Sequence, residues 1–409
     1  MNPRSICAAA LLALAPAAGF AFETVDTLPW PSTGAFPVYG GERLYPWGFY
    51  VEAGAMYDDN ILRRDTGAES DTIFRLGAGV HGLYRVIGRQ RVALDARVEG
   101  NKYIRFNDLD HVAYGLRADW LWEVGNDLSG TAGYRRTHRL ADPAETGRST
   151  KEMVTEDRVH VLAAYRLGPN VRATAGAEYA DASGFERLAS VDSGLTVRGG
   201  IDYVTPLGNS LGVEARQTKG DAPVSPDLGI GAFPNNQFTA TEYAAVLTYG
   251  EDTDLLIRGR LGQTEIKYTD LPARNFSGTT GRARVAWRPG VKTLLVLEVY
   301  KEPAAILDAD ALYVLRKGVG FGPSWSPTVK LVFALRLTEE RRQYQGDPTI
   351  AAGAPLRDET LRFIRFGVGW EPERRWQVGG SFDYGERESN VLGRNYVFHA
   401  VVANVRYNF

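Results

Sequence analysis

Arginine beside a carboxylate at every second position is the chemistry that this sequence repeats. In YGLRADWLWEVGNDLSGTAGYRR, residues 114–136, Arg117 and Asp119 stand between large apolar side chains, and Arg135 follows the turn. A guanidinium is a planar fork matched to carboxylates, so such residues either brace neighbouring strands as ion pairs or meet the carboxylates of a solute. The same pattern takes in Arg97, Arg158, Arg172, Arg198, Arg216, Arg258, Arg260, Arg282, Arg284 and Arg336, with Asp95 and Glu99 among the acids. Of the 47 basic residues, 39 are Arg and 8 are Lys. We expect more than half of these arginines in ion pairs between strands, and the surplus of Arg over acid predicts a mildly basic lining attractive to anionic sugars such as uronic-acid polymers. Aromatics on the same face, which would stack sugar rings, are few, and Tyr103 is the clearest.

Other constellations are weaker. YDDN at 57–60 offers Asp58, Asp59 and Asn60 to a hard cation, but a polar strand end entering a loop explains it better. GAGVHG at 77–82 fits a dinucleotide loop by spacing alone; the alternation of Phe74, Leu76, Val80 and Tyr84 runs through it, where such a loop needs a strand followed by a helix. The five histidines (His81, His111, His138, His160, His399) are scattered without metal-ligand spacing. No catalytic residue, metal or cofactor is assigned, and a non-enzyme is the default. The net charge of −2 gives no bulk attraction to nucleic acid.

The elements that would position these arginines are strands. Val92, Leu94, Ala96 and Val98 share one face while Asp95, Arg97 and Glu99 share the other, and this period of two recurs along the chain. Short turns alternate with long polar stretches: GRQ, GND, GPN, PLGN, GEDTD, PGVK, SPT and EPER against LADPAETGRSTKEM, GDAPVSPDLGIGAFPNNQ and QYQGDPTIAAGAP. Tight turns at one end and long loops at the other describe a transmembrane antiparallel β-barrel, with the turns periplasmic. Counting from Trp47 gives about 18 strands, with 16 as the alternative. The N-terminus reads as a signal peptide over 1–21 cleaved after Ala21, then a Pro-rich periplasmic lead-in over 22–46, then the barrel over 47–409. Cys7 lies within the signal, which implies no disulfide in the mature chain.

Two further features support a barrel. Tyr114, Trp120, Trp122, Tyr165, Trp287, Trp370 and Trp376 sit near strand ends on the apolar face, as an interfacial girdle would. Phe409, Tyr407 and Val405 end the chain on one face, the pattern by which outer-membrane barrels are recognised for insertion. A secreted propeller or sandwich also has many short strands, but its apolar face would be dominated by aliphatic residues packing a core.

RQRVALDARVEGNKYIRFNDLDHVAYGLRADWLWEVGNDLSGTAGYRRT at 89–137, together with YDDNILR at 57–63, resembles the EpsL family of outer-membrane barrels associated with exopolysaccharide operons and exosortase systems. The motif-bearing part spans about Tyr57 to Thr137. The resemblance implies a role in making or exporting an extracellular polysaccharide and carries over no catalytic residue.

Three readings follow: an exopolysaccharide-associated export channel, a diffusion porin for small anions or sugars, and a barrel serving as scaffold or embedded enzyme. The first is preferred on the resemblance. Expected partners are outer-membrane lipid, the barrel-assembly machinery, the secreted polysaccharide, and proteins of polysaccharide synthesis in the periplasm or inner membrane.

Overall fold

A strand with one apolar and one charged face needs lipid on one side and water on the other, and in lipid an unpaired strand edge is costly. The computed structural model resolves this by closure. It describes residues 47–143, 150–183, 193–221, 237–250, 253–269, 275–304, 313–345 and 356–409; the signal peptide and lead-in expected over 1–46 lie outside the described residues.

The first six strands are β1 (Trp47–Asp58), β2 (Asp71–Ile87), β3 (Gln90–Tyr103), β4 (His111–Val124), β5 (Leu128–Leu140) and β6 (Met153–Arg166). The next six are β7 (Val171–Ser183), β8 (Ser193–Val204), β9 (Ser210–Asp221), β10 (Gln237–Tyr249), β11 (Leu255–Tyr268) and β12 (Phe276–Gly290). The last six are β13 (Thr293–Ala304), β14 (Tyr313–Thr328), β15 (Leu331–Gln345), β16 (Asp358–Glu373), β17 (Trp376–Ser389) and β18 (Tyr396–Asn408). All pair antiparallel with their sequence neighbours, and β1 pairs with β18 from Tyr50↔Asn408 to Asp58↔Ala400, so the chain is a closed 18-stranded β-barrel. A 3-10 turn, Asn107–Leu109, follows β3, and among the described residues no helix is long and apolar enough to cross a membrane.

The outer face is an apolar band with polar borders. On β15 the outward residues run Leu331, Phe333, Leu335, Leu337 and then change to Glu339 and Arg341; on β11 they run Leu255, Ile257, Leu261 and then Gln263, Glu265, Lys267. At ~3.4 Å per residue and ~40° of tilt, such a run rises about 16 Å, the greater part of the ~25 Å apolar band of a membrane barrel. The lower border is aromatic. Every even-numbered strand places one ring there: Tyr84, Trp122, Tyr165, Tyr203, Tyr249, Trp287, Trp325, Trp370 and Tyr407. Trp120 lies one outward position above Trp122, their rings 6.4 Å apart, and Trp376 meets Tyr407 edge-on at 4.9 Å. Tyr114 belongs to the opposite border, stacked on His138 at 4.8 Å.

Three of the expected turns lie further along the chain than their prolines suggest. PGVK contains its turn, at Val291–Lys292, although β12 runs on past Pro289; SPT and EPER read as turns, yet β14 and β16 run on past Pro327 and Pro372 to two-residue turns at Val329–Lys330 and Arg374–Arg375. The register shifts at each of these prolines. A bulge leaves a residue outside the ladder, so a missing N–H costs nothing there.

Candidate functional site: the barrel lumen

The pleat turns all fifteen arginines and acids singled out in the sequence toward the lumen. Trp120 faces outward, so Arg117, Asp119 and, across the strand, Arg135 face inward, and register carries the row on to Arg158: Arg117↔Arg135↔Arg158. Like charges stand directly opposite elsewhere too, at Arg198↔Arg216, Arg258↔Arg284, Arg260↔Arg282 and Arg336↔Arg365. Such juxtaposition is unfavourable unless acids interleave.

Acids do interleave for part of the set. Arg117 Nε donates to Asp119 at 2.5 Å, with His160 Nε2 3.7 Å from the same carboxylate. Arg158 lies 3.5 Å from Glu178, Arg172 donates to Asp202 at 2.9 Å, and Arg198 and Arg216 share Glu214 at 3.8 and 2.7 Å. Glu242 takes Arg260 at 2.6 Å and stands 3.7 Å from Arg216, while Arg282 bridges Glu298 at 2.6 Å and Glu302 at 2.5 Å. Among the described residues Arg97, Arg284 and Arg336 have no carboxylate within ion-pair distance, and Arg284 and Arg135 are exposed to the lumen. Asp95 is exposed beside Arg117 in register, whereas Glu99 is buried.

Alternation places Asp383 and Arg406 on the polar face, but their partners and the junctions at Glu340 and Glu359 escape a reading of the sequence. Glu340 accepts from Arg316 at 2.6 Å and Arg342 at 2.6 Å and meets the Tyr300 hydroxyl; Arg357 and Tyr344 converge on Glu359 at 2.7 and 2.8 Å; Arg365 donates to Asp383 at 2.6 Å and Arg406 to Glu52 at 2.6 Å. In β15 the run Glu339, Glu340, Arg341, Arg342 puts charge on both faces, and in β14 Arg316 and Lys317 are adjacent. A period of two cannot be read through consecutive charges.

Lumen aromatics are also more numerous than expected. Tyr50 lies under Arg406 at 4.1 Å, Tyr300 under Arg282 at 4.9 Å, Tyr344 under Arg357 at 3.8 Å and Tyr396 under Arg387 at 4.6 Å. Several lie flat because the neighbouring strand has glycine. A Cβ on Gly79 would stand 2.4 Å from the Tyr50 ring, on Gly318 2.4 Å from Tyr300, and on Gly385 2.1 Å from Phe398. Rings pressed on glycine backbone thicken the wall little.

The end of the barrel with the long connections differs. Ile61 and Leu62, from the β1–β2 connection, are buried with Met56, Ile73, Tyr103, Leu109, Leu140, Phe363, Tyr396, Phe398 and Ala400. These residues come from strands between β16 and β5 around the seam, so this connection and the 3-10 turn fold inward over that sector. Tyr103 is 1 % exposed inside the cluster, which corrects its reading as a sugar platform. Phe106 packs against the cluster because β3 has already ended at Tyr103.

YDDNILR is the anchor of this fold. Asp58 accepts both Nη1 and Nη2 of Arg63 at 2.8 Å, and the guanidinium lies 3.6 Å from the Phe398 ring centre. Asn60 donates to the carbonyls of Arg64 and Val397 at 2.9 and 3.0 Å and accepts from Arg64 N at 2.9 Å. Asp59 accepts from His399 N at 2.7 Å and lies 2.8 Å from its Nδ1. The three candidate cation ligands are thus engaged with protein groups, and no group of three metal-ligating side chains occurs among the described residues. GAGVHG lies wholly within β2, paired from both sides.

No protein-family model matches the chain, and no curated protein does, so nothing there carries the resemblance to EpsL. Among solved structures the chain is similar to the outer membrane protein OpdK of Pseudomonas aeruginosa at 11 % identity, with TM-score 0.47 over 90 % of this chain and 100 % of that one. OccK2 (OpdF) of the same organism is similar at 11 % identity and TM-score 0.49, over 90 % and 99 % of the two chains. The siderophore receptor PirA, also from Pseudomonas aeruginosa, reaches 9 % and 0.43, over 90 % and 81 %.

Proposed function

We propose that this chain is an outer-membrane channel for anionic solutes, and that its cargo is a carboxylate-bearing exopolysaccharide on the path out of the cell. The observation that carries the anionic part is the arginine rows. Arginine faces arginine across five adjacent strand pairs, and Arg97, Arg284 and Arg336 remain without carboxylates. In an 18-stranded ring, Arg97 on β3 and Arg284 on β12 stand nine strands apart, on opposite walls. Positive charge on both sides of a water-filled lumen concentrates anions and repels cations. The polysaccharide part rests on the resemblance of residues 57–137 to the EpsL family.

A second reading, a diffusion channel for small anions or sugars, is favoured by the inward-folded mouth. One sector of the opening is filled by the apolar cluster, which suits a small solute better than a thick polymer strand.

Planar-bilayer recordings test the first reading. Anionic oligosaccharide should lower the conductance of the purified protein, neutral oligosaccharide of the same length should not, and Arg117→Glu with Arg135→Glu should weaken the block. Gene deletion separates the two readings: loss of secreted polysaccharide with normal solute permeability supports export, and an intact polysaccharide layer overturns it.

A further inference from the structure

None of the eight lysines faces the lumen. Lys292 and Lys330 lie in the short turns and Lys151 in a long connection, while Lys102, Lys219, Lys267, Lys301 and Lys317 lie on the outer face near the border where the apolar band ends. Lysine is thus kept to the outside, while arginine lines the lumen and reaches the outer face at a few positions such as Arg341 and Arg362. The guanidinium fork matches carboxylate and phosphate alike, and the ammonium of lysine binds phosphate as a compact point charge.

Two of these lysines are placed in an arrangement that isolated strands would avoid. Lys301 of β13 is directly opposite Lys317 of β14, and Lys317 is directly opposite Arg341 of β15, so three cations form one row across three strands. All three share the outer face with Val299, Val319 and Leu337, the last apolar positions beneath them. Arg341 is held by Asp358 at 2.7 Å. Lys317 reaches only the Gln343 amide oxygen, at 3.4 Å, and neither lysine has a carboxylate within ion-pair distance among the described residues. The nearby Glu339, Glu386 and Glu388 are gathered round Arg362 at 3.0, 3.4 and 3.2 Å. Like charges directly opposite destabilise a sheet unless an anion lies between them.

We propose that Lys301 and Lys317, flanked by Arg341, bind the phosphate of a phosphorylated glycolipid in the leaflet that meets the long-loop end of the barrel. This rests on the reading that the barrel spans the outer membrane. The row stands where the apolar band gives way to polar residues, the depth at which acyl chains end and headgroup phosphates begin. The lipid would lie with its chains along Val299, Val319 and Leu337.

The test uses the full-length protein, purified and reconstituted in vesicles of neutral phospholipid doped with bis-phosphorylated lipid A. Lipid retained after detergent extraction is counted by native mass spectrometry. The wild type should retain lipid A at least about tenfold better than Lys301→Gln/Lys317→Gln, since each lysine contributes on the order of a few-fold in affinity for an anionic headgroup. Dephosphorylated lipid A should be retained no better than by the double variant. Equal retention by wild type and variant overturns the site. Full displacement of lipid A by millimolar inorganic phosphate overturns the lipid assignment in favour of a free-phosphate site. Migration of the unheated protein as a compact band and its insertion in vesicles report separately on the barrel, so failure of the membrane reading is distinguishable from failure of the site.

Discussion

The wall from β8 to β13 and the sector from β16 through the seam to β5 use the same residues toward different ends. On the first, Arg198, Arg216, Arg260 and Arg282 alternate with Glu214, Glu242, Glu298 and Glu302 as a ladder that is sealed at Arg216 and Glu242 and partly open to the lumen at Arg198, Arg282, Glu298 and Glu302. On the second, Arg63 and Asp58 are sealed at 3 % and 0 % exposure beneath a cluster of aromatic and aliphatic side chains. A salt bridge in water contributes little to stability, whereas breaking one partner of a buried pair leaves an uncompensated charge. In the proposed channel the ladder would tune what passes, and the sealed pair would set how wide the mouth is.

The largest effect is expected from breaking the sealed pair. Arg63→Ala strands Asp58 in the cluster, at a cost of about 3–5 kcal/mol for that local structure. Arg63 is also the only non-glycine described residue with positive φ, at 54°, so its removal takes away the contact that holds a disfavoured backbone conformation. Residues 59–70 should become open to protease and single-channel conductance should rise; unchanged conductance would show that this connection does not narrow the path.

Next comes the glycine bed of the ladder side. Gly318→Val drives a branched side chain into Tyr300, and overpacking of this kind costs about 1–3 kcal/mol, read as a lower urea midpoint for unfolding from vesicles. Gly259→Ala on β11, where a Cβ would meet nothing within 4 Å, should leave that midpoint nearly unchanged.

Selectivity should respond to the unpaired cations. Arg284→Glu with Arg336→Glu should move the reversal potential in a salt gradient toward cations, by up to about tenfold in permeability ratio, with little loss of stability because neither arginine has an ion pair to lose. The smallest effect is expected outside. Arg362 touches three carboxylates but is 41 % exposed, and Arg362→Ala should leave the unfolding midpoint within experimental scatter.

How far the sequence was legible follows the same division. The faces of β4 and β5 can be read from Trp120, Trp122, Arg117 and Arg135 because one apolar and one charged residue alternate there. β15 could not be read that way, since Glu339 to Arg342 are charged in succession, and the Glu340 junction was missed with it. The prolines of β12, β14 and β16 signalled turns too early, because a bulge admits proline inside a paired strand.

Sequence alone determined that the chain is a series of about 18 two-faced strands from Trp47 with an excess of arginine on the polar face, because a period of two is a local property of the chain. Tertiary structure alone decided which arginine meets which carboxylate, that Arg63 returns to Asp58 beneath Phe398, and that Lys301, Lys317 and Arg341 fall in one row. Those relations depend on register between strands and on closure of the ring, and neither is encoded in any single strand.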